Sequence, residues 1–394
     1  MNRLAESQHD SSLDDSLLTA LVSGTSTAAL TGSLLYPLDF IKTQTQLNNA
    51  KVAAKYKIPS NSPTSLSHLF KGCSAFVIGS MVKNSARIFS YHWSSNFMSL
   101  ETTDSHGNHI KKTTAPRIVI AGIMSGFIET ICIIPFENIK ITMIQNMSLY
   151  NEITKVKEIG SNVDVTGYSI PGKHHKPPQN IFNKQYISPH AYFTSEVLAS
   201  FRGVNPSKFS STHLVKHTKM DALKHKYNKN PSLTFWGTVR EIYSIKGPKG
   251  FMYGSLITIV RQTMISSIWL SSYNTTKQVF LPHHKSGEGW FSEQYTLYQY
   301  LGLQLVAAAV VIVTTQPIDV VKSYMQSKNS HTAYKDSLST AYKIVLEHGF
   351  SGLYKGYFPR GIKVAVAGSI SASFYAYFEQ LISTASSKTV FSND

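Results

Sequence analysis

Cysteine is nearly absent: Cys73 and Cys132 are the only two in 394 residues, and both lie in apolar stretches. That scarcity excludes a disulfide framework and a Cys-based zinc site. Acidic side chains are also few, 22 against 38 basic ones, for a formal net charge of +16. An excess of that sign suits nucleic acid, anionic lipid or small anionic substrates. No run of six basic residues occurs, so a disordered nucleic-acid arm is not favoured. The chain also lacks a Gly-x-Ser-x-Gly, a phosphate-binding glycine loop and a His-Glu-x-x-His, and an enzyme is not expected. The first sixteen residues carry Glu6, Asp10, Asp14 and Asp15 against Arg3. They are too acidic for a mitochondrial transit peptide and too polar for a secretory signal, so any targeting information is expected to be internal.

What the chain does have is repetition. Three segments align without gaps: YPLDFIKTQTQ at 36–46, IPFENIKITMI at 134–144 and QPIDVVKSYMQ at 316–326. Each reads Pro-x-acid-x-x-Lys and closes an apolar stretch, at 17–35, 118–134 and 297–315. Downstream of each stands a short motif ending in glycine: FKG at 70–72, MYG at 252–254 and YKG at 354–356. A further membrane-length helical segment follows each glycine, giving six segments in three pairs. One match would mean only a helix ending near a proline. Three in the same context are not chance. Proline removes a backbone donor, so kinks are expected at Pro37, Pro135 and Pro317. There Asp39, Glu137 and Asp319 would meet Lys42, Lys140 and Lys322, each acid within reach of its own helix's lysine or a neighbour's.

In the first glycine-led segment, GSMVKNSARIFSY at 79–91 sets Lys83 and Arg87 on one helical face, near the middle of a run long enough to cross a bilayer. A charge at that depth costs about 3 kcal/mol on insertion scales and normally faces a partner or a water-filled cavity. Seven and eight residues past the three glycines lie Gly79–Ser80, Arg261–Gln262 and Lys363–Val364, with Arg360 one turn before Lys363. The expectation is an anion site made of five cations, with no intramembrane acid near their level.

These residues resemble the mitochondrial carrier family over essentially the whole chain, apart from the amino-terminal tail and one insertion. The resemblance implies an all-α membrane protein with six tilted transmembrane helices plus short matrix helices, in three pseudo-symmetric helix-pair repeats around a central cavity. It also implies alternating access across the mitochondrial inner membrane, with both termini facing the intermembrane space. The expected divisions are a polar tail at 1–16, repeats at 17–100, 116–282 and 297–384, and a tail at 385–394. On this reading the six motif charges form a matrix gate, with Gln44 at a bracing position. Tyr91, Tyr273 and Tyr375 fall at the outer gate, nineteen residues beyond the glycines. The family's outer acid positions hold His92, Asn274 and Ala376 here, and its basic positions hold Ser95, Lys277 and Glu379, so a weak outer gate is expected. Structural cardiolipin is expected near Gly72, Gly254 and Gly356, with no other cofactor, no metal and a monomeric state.

Within the family, GSMVKNSARIF and FPRGIKV resemble the tricarboxylate (citrate) carriers. By position this implies substrate contacts from Lys83, Arg87, Arg261, Gln262, Arg360 and Lys363, with Gly79 and Ser80, and antiport of a tri- or dicarboxylate. Guanidinium groups bind carboxylates in a bidentate fork, which suits such a cargo. The chain departs from that subgroup at Ile265, Trp269 and Ala367, which puts strict citrate selectivity in doubt. The first two prolines are 98 residues apart and the last two 182 apart. The excess, at about 148–231, reads as a basic and mostly irregular matrix insertion, with at most a short helix near 192–201. His174–His175 within it reads as solvated loop rather than metal site. The alternative reading is a transport-poor carrier scaffold whose insertion tethers RNA or a protein assembly.

Overall fold

The computed structural model describes residues 2–47, 66–98, 100–103, 109–112, 115–158, 188–194, 219–280, 297–330, 334 and 336–387. Helix α1 (Asn2–Leu47) runs without a break through the residues assigned to the polar tail. It is followed by α2 (Cys73–Met98), α3 (Ala115–Glu158), α4 (Lys219–Lys229), α5 (Phe235–Lys246), α6 (Ser255–Phe280), α7 (Leu297–Met325), α8 (Ser337–His348) and α9 (Tyr357–Ser387). Pro37, Pro135 and Pro317 lie inside α1, α3 and α7. Having no amide hydrogen, each leaves a carbonyl one turn earlier, on Ser33, Ile131 or Val313, without its helical donor.

Among the described residues the strands form one hairpin, β1 (Leu100–Thr103) antiparallel to β2 (His109–Lys112), which pairs Leu100 with Lys112 and Thr103 with His109. The sequence reading missed it because four residues are too few to display a period of two. The described residues of the insertion are built into the fold. Helix α3 continues into it as far as Glu158, α4 closes it, and residues 188–194 between them are buried. Of the 192–201 stretch only residues up to 194 are described, and these are not helical. His174–His175 lie outside the described residues.

One local grammar precedes α6 and α9. Thr234 caps α5 by accepting from the Gly237 amide at 3.2 Å. Gly247 ends that helix at φ 67°, and a 3-10 turn (Pro248–Met252) leads to Gly254 at φ 75°. Helix α8 ends likewise at Gly349, and the turn Phe350–Tyr354 leads to Gly356 at φ 77°. Before α2 the turn at Leu66–Leu69 leads to Gly72 at φ 88°. The three glycines used as rulers in the sequence all sit in the left-handed region.

Each of these glycines abuts the proline helix of the following pair. A Cβ on Gly72 would stand 2.5 Å from the Tyr36 hydroxyl and 3.4 Å from Met143 of α3. On Gly254 it would meet Gln326, just past α7, at 3.0 Å, and on Gly356 the Lys42 carbonyl of α1 at 3.1 Å. The long helices pack in a closed cycle, α1 on α2, α2 on α3, α3 on α6, α6 on α7, α7 on α9 and α9 back on α1. Buried apolar side chains gather at the end of that cycle just past the prolines. Tyr36, Phe40 and Ile144 join α1 to α3, and Leu47, Val320, Val321, Tyr324 and Ile344 join α1, α7 and α8. The outward faces carry exposed Leu18, Leu34, Phe89, Trp93, Phe97 and Val313. Among the described residues, 18–47 and 305–325 are each long and apolar enough to cross a membrane by length and composition.

Gly356→Ala is expected to lower stability by about 1–2 kcal/mol, the cost of the left-handed region for a residue with a Cβ. Gly302→Ala, in a helix and with no atom near its added Cβ, should not destabilise. Thermal unfolding of the two variants side by side is the check.

Candidate functional site

Just past the three prolines the six motif charges meet, and every pair crosses between helices. Lys42 of α1 reaches Asp319 of α7 at 2.5 Å. Lys140 of α3 reaches Asp39 of α1 at 3.1 Å, and Lys322 of α7 reaches Glu137 of α3 at 2.6 Å. The three contacts close a ring. Two glutamines nine residues past their prolines bond its acids: Gln46 donates to Asp319 at 3.1 Å and Gln326 to Glu137 at 3.2 Å. The Ser323 hydroxyl in turn donates to the Gln46 carbonyl oxygen at 2.6 Å. Gln44, expected at a bracing position, is buried two positions before Gln46 on the same helix.

A second tier of cations leans on the same acids. Lys363 of α9 approaches Asp39 Oδ2 at 2.7 Å, so that oxygen serves two ammonium groups. Both ammoniums also lie over the Phe76 ring, at 4.3 Å for Lys140 and 4.8 Å for Lys363. Arg261 of α6 places Nε 2.6 Å from Asp319 Oδ1, an ion pair whose angle falls short of a hydrogen bond. Arg360 of α9 is buried and spends its fork on α7, donating to Gln316 Oε1 at 2.9 Å and Thr315 Oγ1 at 2.7 Å.

Farther along α2, Lys83 lies 3.1 Å and Arg87 3.6 Å from the carboxylate of Glu129 on α3. This corrects the expectation that no acid stands at their level. Glu129 is buried, whereas Arg87 keeps 65% of its side chain exposed. The signal was available in the sequence, because Glu129 is the lone carboxylate within the apolar stretch 118–134.

Gly79 belongs to the α2–α3 seam, where an added Cβ would lie 2.7 Å from Phe136 Cβ. The Ser80 hydroxyl donates back to the Phe76 carbonyl at 2.8 Å. Gln262 is half-buried on α6, next to Arg261. At the other end of the helices Tyr375 is exposed on α9; the side chains of Tyr91, Tyr273 and Lys277 lie outside the described residues. Among the described residues no group of three potential metal ligands occurs.

The site thus assembles eight cations, Lys42, Lys83, Arg87, Lys140, Arg261, Lys322, Arg360 and Lys363, around four carboxylates, Asp39, Glu129, Glu137 and Asp319. Asp39, Glu129 and Asp319 are each shared by two cations. A cluster with that imbalance attracts anions, and a polyanion can take over one cation of each shared pair without leaving the acid bare.

The sequence profile of the family described as mitochondrial carrier protein matches residues 14–102, 209–284 and 293–386. An uncharacterized mitochondrial carrier of Saccharomyces cerevisiae is 23% identical over 367 residues, 93% of this chain and 96% of that one. Mitochondrial citrate transporter A of Aspergillus niger is 24% identical over 375 residues, 94% of each chain. The mitochondrial glycine transporter of Xenopus laevis is 27% identical over 161 residues, 41% of this chain and 49% of its own.

Removing one member of a buried ion pair leaves the other uncompensated. Glu137→Gln and Lys322→Gln are each expected to destabilise by about 3 kcal/mol, and the double variant by less than the sum. Thermal unfolding in detergent of the two singles and the double measures the coupling; additive losses would mean that the two groups do not interact.

Proposed function

This chain belongs to the mitochondrial carrier family, and from that premise we propose that it exchanges small organic anions, tri- or dicarboxylates such as citrate, across the mitochondrial inner membrane. It is a transporter and not an enzyme. On this reading six membrane-crossing helices, α1, α2, α3, α6, α7 and α9, form three repeats about a central route, with both termini in the intermembrane space. The cyclic packing and the three glycine seams support that arrangement. The ring of Asp39, Lys42, Glu137, Lys140, Asp319 and Lys322 is the matrix gate, closed in this conformation.

The observation that carries the proposal is the sharing of Asp39, Asp319 and Glu129 by two cations each. A carboxylate substrate entering from the open side meets Lys83 and Arg87 first and competes with Glu129 for them. Deeper, it draws Arg261 and Lys363 away from Asp319 and Asp39, the acids that also hold the gate. Substrate binding thereby weakens the ring, and its binding energy is spent on opening. A substrate with two or three carboxylates can hold cations from several helices at once, which a monoanion cannot do. Resemblance to a citrate transporter along nearly the whole chain supports this class over the glycine of the partial match.

In liposomes loaded with di- and tricarboxylates, the protein is expected to exchange labelled citrate or a close analogue. Arg261→Ala and Lys83→Ala should each reduce exchange at least tenfold. Glu129→Gln frees Lys83 and Arg87 and should lower the apparent KM for a trianion several-fold while raising it for none. Failure to exchange any organic anion would overturn the proposal; an unchanged KM in Glu129→Gln would remove Glu129 from the path.

A further inference from the structure

Residues 188–194 belong to the insertion, yet Ser188, His190, Ala191, Tyr192 and Thr194 are all at most 3% exposed. Most of their bonds run to one side of the molecule. Ser188 Oγ donates to Glu152 of α3 at 2.6 Å. The Tyr192 amide donates to Asn228 of α4 at 2.7 Å, and its carbonyl accepts from the same side chain at 3.0 Å. The Tyr192 hydroxyl donates to Glu241 of α5 at 2.9 Å, and Lys224 of α4 donates to the Phe193 carbonyl at 3.1 Å. The segment is therefore part of the second repeat.

Its other side is gripped by Asn329, four residues past the end of α7. Asn329 Nδ2 donates to the Ala191 carbonyl at 2.8 Å, while its Oδ1 accepts from the Phe193 amide at 2.9 Å. Lys328, fully buried beside it, sets its ammonium 3.7 Å from Glu241 and 4.8 Å from the centre of the Tyr192 ring. Its backbone amide donates to Gln145 of α3 at 2.7 Å. Lys246 of α5 adds bonds to the Ser327 carbonyl and the Ser330 hydroxyl at 2.8 and 3.0 Å. Burial beside Lys328 pushes His190 down to about 3, so the imidazole is neutral and adds no charge to the cluster. These contacts join the segment just past α7 to α3, to α5 and to residues 188–194, all of the second repeat. About two turns before Asn329 and Gln145, Lys322 and Glu137 close the gate between the same two parts of the chain.

We propose that residues 188–194 are a latch: they fasten the end of α7 to the second repeat beneath the closed gate and so set how often the protein opens on that side. Parting Glu137 from Lys322 moves α3 and α7 apart, and this cannot proceed far while Asn329 holds the backbone of 191 and 193. The latch rests on the carrier reading above in requiring that the gate open, but not on the identity of the substrate.

The test uses the full chain with Cys73→Ser and Cys132→Ser, and one reporter, Ser148→Cys. Ser148 is buried on α3 between gate and latch, and its hydroxyl has no partner among the described residues. The reporter's reaction with a water-soluble maleimide and citrate exchange are measured in liposomes. Asn329→Ala is expected to raise both rates several-fold with the order of substrate preference unchanged, and Tyr192→Phe to raise both by less. If Asn329→Ala does not fold, Tyr192→Phe alone decides. Labelling no faster than in the parent overturns the latch, as does faster labelling with unaltered exchange in a protein whose parent exchanges. Should neither parent nor variants move any organic anion, the carboxylate reading fails, and the latch is judged on labelling alone.

Discussion

Everything at this site depends on one constraint: a buried carboxylate must be paired, and here most carboxylates are paired twice. Taking an ion out of water costs several kcal/mol, which a single contact in a low-dielectric interior only roughly repays. A ring built of such contacts is closed by geometry more than by large net energy, and it can be opened by a competitor that supplies equivalent charge. Asp39, between Lys140 and Lys363, is the clearest case. One of its cations belongs to the gate and the other stands a tier away, so drawing off the second weakens the hold on the first. In the proposed cycle, charge sharing couples binding to gating.

The glycine seams keep that coupling in register. Gly72, Gly254 and Gly356 let the starts of α2, α6 and α9 press closely on the next proline helix, so a displacement in one pair reaches the next by direct contact. Close-packed interfaces of this kind have discrete arrangements and do not deform smoothly, which suits a protein that alternates between two states. The contacts of 188–194 add an asymmetry that the threefold pattern does not contain, since they tie the second repeat to the segment just past α7.

Much of this was legible in the residues themselves. Three copies of Pro-x-acid-x-x-Lys gave the gate charges, because a repeat unit that cannot satisfy its own buried charges must satisfy them on its neighbours. The glycines were legible as rulers, though only their backbone angles and neighbours gave them a physical task. Gln44 and Gln46 share a short Thr-Gln-Thr-Gln run, and the bond from Gln46 to Asp319 became visible only in the folded chain. Glu129 stood in plain view as an acid in an apolar stretch and was passed over because it belongs to no motif. The contacts of 188–194 were illegible: Ser188, Tyr192, Asn228 and Asn329 are polar residues without periodicity, and their partners lie on distant segments.

The sequence by itself determined the class of molecule and the chemistry of its interior, since repetition and charge type are local properties that survive without coordinates. Tertiary structure alone decided which acid each cation holds, that Glu129 sits beneath Lys83 and Arg87, and that a stretch of polar loop is fastened across a seam. Such pairings depend on distances between residues up to hundreds of positions apart, and no single stretch of chain records them.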